Sequence, residues 1–274
     1  MKFPDLQIVS NALHAVVRSS AYAVVSHLPK EWLQWSRSRI AIKDIVDKLA
    51  INCVLDVGAN RGQYGLLLRR MGYRGWILSF EPIQSNFQVL EQVAKRHGPW
   101  RVYPYALGAT NSRLEINVAE LNLFSSFLTP KVEAPRNAPW FFSKNRTERK
   151  EEVAVRRLDD VLEACLDGIA SPRMYLKMDT QGFDLEVVKG AESVLPSMLA
   201  LQTEISFKSI YDEMPGFMES IKELQARGFD VTDFLPVTSA VDQLSAIEMD
   251  CIMARSPQPK GPAAGTRSSS GGAS

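Results

Sequence analysis

The chain is poor in the residues that usually announce metal or redox chemistry, with 3 histidines and 3 cysteines among 274 residues. Cys53, Cys165 and Cys251 form no CxxC pair, and each sits in or beside an apolar run. Such cysteines read as reduced core residues, which points to a reducing compartment and away from a disulfide framework or a zinc site. His14, His27 and His97 all lie outside the motifs that follow. Charge of one sign is missing too. The formal net charge is +1, so no global field favours nucleic acid as a partner. Long uncharged apolar runs are absent, and no segment is expected to span a bilayer. The N-terminus lacks the layout of a secretory signal, so the expected location is cytoplasmic.

Apolar residues, 45% of the chain, suffice for one large α/β domain with appendages. Residues 1–50 read as an N-terminal helical extension. Leu6, Val9, Leu13, Val16, Val17 and Val24 recur at helical spacing, and Ile42, Ile45, Val46 and Leu49 form a second amphipathic set. Packing on the core is the expected use of these faces. Arg18, Trp32 and Trp35 keep contact with a membrane surface open.

From residue 51 to 255 the pattern becomes that of a nucleotide-binding domain. Cys53-Val54-Leu55-Asp56-Val57 suits a strand buried on both faces, followed by a turn at Gly58–Gly62 and a helix over 64–71. A strand over 75–81, a helix over 83–97 and a strand over 101–105 continue the alternation, which means βαβ units and a parallel sheet. Residues 113–118 alternate with period two, as in a half-exposed strand. Residues 119–150, with Pro130, Pro135 and Pro139, show no clear period and read as a long insertion or lid. Lys144 to Lys150 reads as a solvated charge run. Further strands are expected over 174–179, 199–205, 229–234 and near Cys251, with helices over 185–195 and 217–227. The Gly/Ser-rich stretch 256–274 has nothing to bury and is expected to be disordered.

Three segments carry chemistry. Asp56-Val57-Gly58-Ala59-Asn60-Arg61-Gly62 joins a buried strand to a helix, where glycines let backbone approach a ligand. It is neither G-x-G-x-x-G nor a Walker loop, and the acid at its head disfavours a phosphate there. A ligand with an ammonium or sulfonium fits better, as in S-adenosylmethionine. Glu81 follows 25 residues after Asp56, where a strand-end carboxylate can accept both hydroxyls of a ribose, with Pro82 and Ile83 placed to lie against a base. Leu176 to Asp184 brings Lys177 and Asp179 to a strand end facing the same crevice, either as working groups or as an ion pair. Glu204 is expected to project there from the next strand.

Taken in order, these segments resemble the FkbM family of class I methyltransferases over about residues 52–255. The resemblance rests on Leu55 to Gly62, Phe80-Glu81-Pro82, Ala106-Leu107-Gly108, Ser125-Ser126, Arg157-Leu158-Asp159-Asp160, Leu176 to Asp184 with Lys189-Gly190-Ala191, and Gln202-Thr203-Glu204-Ile205. Asp184 stands where the family often has Glu. The resemblance implies a Rossmann-like fold: a seven-stranded, mostly parallel sheet with an antiparallel last strand and helices on both faces. It implies methyl transfer from S-adenosylmethionine to a hydroxyl of a sugar, glycolipid or polyketide-type acceptor.

On this reading Asp56, Gly58, Asn60, Gly62, Glu81, Pro82, Ile83, Ala106 and Ser126 meet the cofactor. A hydroxyl is a weak nucleophile at neutral pH, so a base or a metal should assist. Asp179 is the first candidate base and Glu204 the second, with Lys177 orienting Asp179 or meeting developing negative charge. Asp179 and Glu204 could share a divalent cation, but no third ligand is evident and none is expected. Trp140-Phe141-Phe142 either stack on an acceptor sugar or pack the loop. The rival readings are an NAD-dependent oxidoreductase, opposed by the missing G-x-G-x-x-G, and a non-catalytic nucleotide-binding module, opposed by the intact Asp56, Gly58, Gly62, Glu81 and Asp179.

Overall fold

A computed structural model describes residues 30–131, 145–237 and 246–255. The expectations for residues 1–29 (with His14 and His27), for Trp140-Phe141-Phe142 and for 256–274 fall outside these residues. The chain enters through helix α1 (Lys30–Lys48), which places Ile42 and Val46 against the core. Then follow β1 (Cys53–Val57), α2 (Gln63–Arg70), β2 (Trp76–Phe80), α3 (Gln84–Ala94) and β3 (Trp100–Tyr103). After an excursion described below come α4 (Leu158–Cys165), β7 (Met174–Met178), α5 (Asp184–Lys189), β8 (Met198–Ser206), α6 (Phe217–Ala226), β9 (Phe229–Pro236) and β10 (Glu248–Arg255).

The main sheet has the order β3-β2-β1-β7-β8-β10-β9. β1 pairs in parallel with both β2 and β7, β7 with β8, while β10 runs antiparallel between β8 and β9. All five residues of β1 and of β7 are buried, as continuous apolar runs at the centre of a covered parallel sheet should be. Alternate strand residues feed two cores. Leu55, Val57, Leu78, Phe80, Leu176 and Leu201 meet α4 and α5 on one face. Val54, Ile77, Tyr175 and Ile252 meet α1, α2 and α3 on the other. All three cysteines are buried and free. The expected fold is present, and its strand order reverses between β1 and β7, where open α/β sheets bind ligands.

The excursion departs from the sequence reading. β4 (Ala106–Leu107), β5 (Ser112–Ala119) and β6 (Thr147–Arg156) form a second, three-stranded sheet in the order β4-β6-β5. The charge run is therefore no loop: Thr147 to Lys150 open β6 and pair with Asn117, Val118 and Ala119 of β5. Alternation is masked there because both faces of this end are exposed, and only Val153 and Val155 are buried further along. Cross-strand ion pairs Lys150–Glu115 (2.8 Å) and Arg113–Glu152 (2.5 Å) replace apolar pairing on the exposed face. Residues 122–124 add a short 3-10 turn, held by an isolated bridge between Asn117 and Ser126.

Two motifs of the resemblance turn out to serve this architecture. A Cβ on Gly190 would lie 1.9 Å from the Gly108 carbonyl oxygen, so the segments Ala106-Leu107-Gly108 and Lys189-Gly190-Ala191 meet backbone to backbone. Asp159 of the Arg157-Leu158-Asp159-Asp160 segment accepts the Ser193 and Val194 amides at 3.0 and 3.2 Å and pins the chain after α5.

Candidate functional site

At the C-terminal ends of β1, β2 and β7 lies a cavity of about 600 Å³ including its open mouth. Gly58 and Asn60 line it from the first turn, Glu81, Pro82 and Ile83 from the end of β2, and Ala106 from β4. Asp179, Thr180 and Gln181 close it from the end of β7, while Leu123, Ser125 and Phe127 cover it from the second sheet's connection. Its largely apolar lining, set with a few polar groups, is that of a small-molecule site.

The turn is shaped by close approach. Gly58 has φ +76°, and a Cβ there would fall 2.1 Å from the Asp179 carbonyl oxygen. The Asp179 amide donates to the Val57 carbonyl at 3.0 Å, so the ends of β1 and β7 touch across this glycine. Glu81 is 3% exposed. Its Oε2 accepts the Asn60 amide at 2.8 Å and its Oε1 the Ile83 amide at 2.9 Å, which ties the β2 end to the turn. Burial pushes the Glu81 carboxyl up to about 7, although the Ile83 and Asn60 amides favour its charged form.

Behind the turn a polar row crosses the sheet at adjacent register positions: Ser79, Asp56, Lys177 and Gln202. All four are buried. Trp100 Nε1 donates to Ser79 Oγ at 3.0 Å, and Ser79 to Asp56 Oδ2 at 3.2 Å. Lys177 Nζ lies 3.5 Å from Asp56 Oδ1 and 3.1 Å from Asp179 Oδ2, over the Tyr64 ring. Burial alone would lower the Lys177 pKa, but Asp179 and Asp56 more than reverse this and hold the ammonium charged. Asp56 and Lys177 therefore do not line the cavity. They face α2, because even-numbered residues of β1 and odd-numbered residues of β7 point to that side.

Asp179, just past β7, is the exposed member, with 41% of its side chain open. Gln181 connects it to Glu204: the Gln181 carboxamide donates to Asp179 Oδ1 at 3.1 Å and to Glu204 Oε2 at 2.6 Å. Tyr211 in turn donates to Gln181 Oε1 at 3.0 Å or to the Phe124 carbonyl at 2.8 Å. Glu204 is thus joined to the Asp179 group through Gln181 without lining the cavity. Burial, then the nearby Glu248 and Asp179, push the Glu204 carboxyl well above the usual carboxylate range. Asp184 braces the same turn, accepting the Thr180 amide and hydroxyl and, from β8, the Thr203 hydroxyl and the Glu204 amide.

The family profile of the methyltransferase FkbM domain matches residues 56–231. The chain belongs to the FkbM methyltransferase family. Sequence comparison with curated proteins gave no match. The fold is similar to that of methyltransferase FkbM from Methylobacillus flagellatus KT, with 17% identity and a TM-score of 0.46, over 74% of this chain and 43% of that one. The chain thus spans less than half of that relative. The magnesium protoporphyrin IX methyltransferase of Synechocystis PCC 6803, solved with bound S-adenosylmethionine, overlaps 93% of this chain and 99% of its own at 9% identity and a TM-score of 0.41. Aeropyrum pernix fibrillarin, also with S-adenosylmethionine, overlaps 74% of this chain and 66% of its own, with 13% identity and a TM-score of 0.42.

The cofactor of FkbM methyltransferases is S-adenosylmethionine, and the residues lining the cavity suit it. A buried carboxylate suited to vicinal hydroxyls stands at Glu81, beside apolar walls suited to a base at Pro82, Ile83, Ala106 and Leu107. Of the cofactor residues expected from sequence, Gly58, Asn60, Glu81, Pro82, Ile83 and Ala106 line the cavity, whereas Asp56, Gly62 and Ser126 do not. Gly62 precedes α2 against Leu90 and Trp100, and Ser126 is buried, donating to the Gln181 carbonyl at 2.7 Å. The neighbouring Ser125 lines the cavity instead.

Sequence reasoning missed Asn86, Asn122, Phe127, Gln181 and Tyr211. Gln181 stood inside a quoted motif, while Asn122, Phe127 and Tyr211 lie in aperiodic connections that give no signal. Among the described residues no group of three or more His, Cys, Asp or Glu is disposed to hold a metal ion. Among them no helix is long and apolar enough to cross a membrane.

Proposed function

We propose that this methyltransferase transfers the methyl group to a hydroxyl oxygen of a sugar, glycolipid or polyketide-type acceptor, with Asp179 as the general base. The supporting observation is the contrast between the two acids lining the cavity: Glu81 is enclosed by backbone amides, while Asp179 is open at its mouth. S-adenosylmethionine, when bound, supplies a methyl group already activated for displacement. What remains for the chain is to hold the acceptor oxygen in line and remove its proton. Asp179 takes that proton. Lys177 holds Oδ2 at 3.1 Å, and Gln181 holds Oδ1 at 3.1 Å. Glu204, acting through Gln181, keeps Asp179 in place rather than touching the acceptor. Gly58, Asn60, Glu81, Pro82, Ile83 and Ala106 bind the cofactor, and Asp56 supports the turn from below through Lys177.

The test supplies S-adenosylmethionine carrying a 13C methyl group with panels of sugars, glycolipids and polyketide-type alcohols. The reading expects a labelled methyl ether, strongly reduced in Asp179→Asn. Label on nitrogen or on a carboxylate, or full turnover by Asp179→Asn, would overturn it.

A further inference from the structure

Asn86 lies in the first turn of α3. Its side chain is completely buried, yet it lines the cofactor cavity. The two ends of its carboxamide differ sharply. Oδ1 accepts Arg61 Nε at 3.4 Å and Asn122 Nδ2 at 3.1 Å. A guanidinium can only donate, so this contact fixes which end of the amide is the oxygen. Nδ2 is therefore the end left over, and it is buried with no hydrogen-bond partner. It sits close enough to Glu81 to favour the ionised carboxylate, but no hydrogen bond of acceptable geometry joins them.

A buried amide donor without a partner is costly, and native folds rarely leave one so unless something else meets it. The surroundings explain why it is retained. Asn60 Nδ2 donates to the Asn122 carbonyl at 3.2 Å, and Asn122 in turn donates to Asn86. The glycine turn, the 3-10 turn of the second sheet and α3 are thereby locked together around one amide. That lock holds the free N–H pair beside the Glu81 carboxylate at the cavity wall.

We propose that Glu81 and Asn86 read the cofactor's ribose as a complementary pair, the carboxylate accepting a hydroxyl hydrogen and Asn86 Nδ2 donating to a ribose hydroxyl oxygen. Each ribose hydroxyl is both donor and acceptor, so a lone carboxylate satisfies only half of it. The pair makes the site selective for an intact ribose over a deoxyribose, because a missing hydroxyl leaves the buried amide again unpaired. Asn86 is thus a specificity-determining residue for the cofactor. This inference is independent of how the acceptor is activated.

The experiment is calorimetric titration at pH 8.5, where Glu81 is ionised, using S-adenosylhomocysteine and its 2′-deoxy and 3′-deoxy analogues. The proteins are the wild type, Asn86→Asp, which keeps Oδ1 and removes the donor, and Asn86→Ser, which adds no charge near Glu81. Wild type should prefer S-adenosylhomocysteine over at least one deoxy analogue by about tenfold or more. Each variant should lose about ten- to hundredfold affinity for S-adenosylhomocysteine and much less for that analogue. Unchanged binding in the variants overturns the inference. So does an equal loss for all three ligands, which would make Asn86 a packing residue of α3. If Asn86→Asp does not fold, Asn86→Ser carries the same comparison.

Discussion

With Glu81 holding the ribose as proposed, its titration makes cofactor affinity depend on pH in a calculable way. In the ligand-free protein burial holds this carboxyl at about 7. In the proposed ribose site the hydroxyls donate to the charged form, and the carboxylate must also keep the Asn60 and Ile83 amides. A proton on either oxygen sets donor against donor, so binding releases the proton wherever Glu81 carries one. With a midpoint near 7, roughly 3% of the protein is competent at pH 5.5 and about 97% at pH 8.5, a difference of about thirtyfold in apparent Kd. Calorimetry with S-adenosylhomocysteine should show that span, approaching tenfold per pH unit below pH 6 and flat above pH 8. Repeating the titration at pH 6 in buffers of different ionisation heats should show about one proton released. Glu81→Gln should bind more weakly at pH 8.5, by about ten- to a thousandfold, with little pH dependence. An affinity constant from pH 5.5 to 8.5 in the wild type, or an unchanged slope in Glu81→Gln, would refute the argument. The sign for stability is opposite to that of an ordinary paired acid. A carboxyl raised in the fold favours folding fully below its unfolded value, and that contribution is lost as pH rises through about 7. Glu248 and Asp250, also pushed by burial to about 7, act in the same direction. The ligand-free Tm should therefore fall between pH 5.5 and 8, and S-adenosylhomocysteine should recover more of it at pH 8 than at 5.5.

Asp179→Asn should cut turnover by about 10²- to 10⁴-fold while the Kd for S-adenosylhomocysteine moves by no more than a few-fold; a parallel loss of both would make Asp179 a cofactor residue. Lys177→Met leaves Asp56 as a fully buried carboxylate without its cation, and urea unfolding should report a loss on the order of 3–5 kcal/mol. A loss under about 1 kcal/mol would mean that Asp56 is neutral in the fold. Gly58→Ala meets both a left-handed φ and the Asp179 carbonyl oxygen, so cofactor binding should vanish in protein that is at best destabilised. Normal binding by that variant would show that β1 and β7 part easily at this turn.

Much of the sheet was legible because its strands are buried on both faces. Cys53–Val57 and Met174–Met178 are buried runs broken only by the charged Asp56 and Lys177, and those two exceptions are partners across the sheet. Their spacing marked them as functional candidates; their register makes them a buried pair behind the site. That distinction depends on which strand lies beside which, and one chain read in order does not contain it. The place of Glu81 at the cavity wall was readable because a strand-end acid beside a glycine turn lies at the crevice of such a sheet. Asn86 was not, since an asparagine early in a helix is ordinary and only its missing partner makes it notable. β6 was obscured for a third reason: its first half is exposed on both faces and carries ion pairs instead of an alternating apolar face.

The most direct test of the account is a crystal structure of the protein with S-adenosylhomocysteine. The ribose hydroxyls should lie within about 3.2 Å of Glu81 and Asn86 Nδ2, the base should lie against Ile83 and Leu107, and the sulfur should face Asp179. A nucleoside bound outside this cavity, or a sulfur turned away from Asp179 with no path for an acceptor between them, would contradict it.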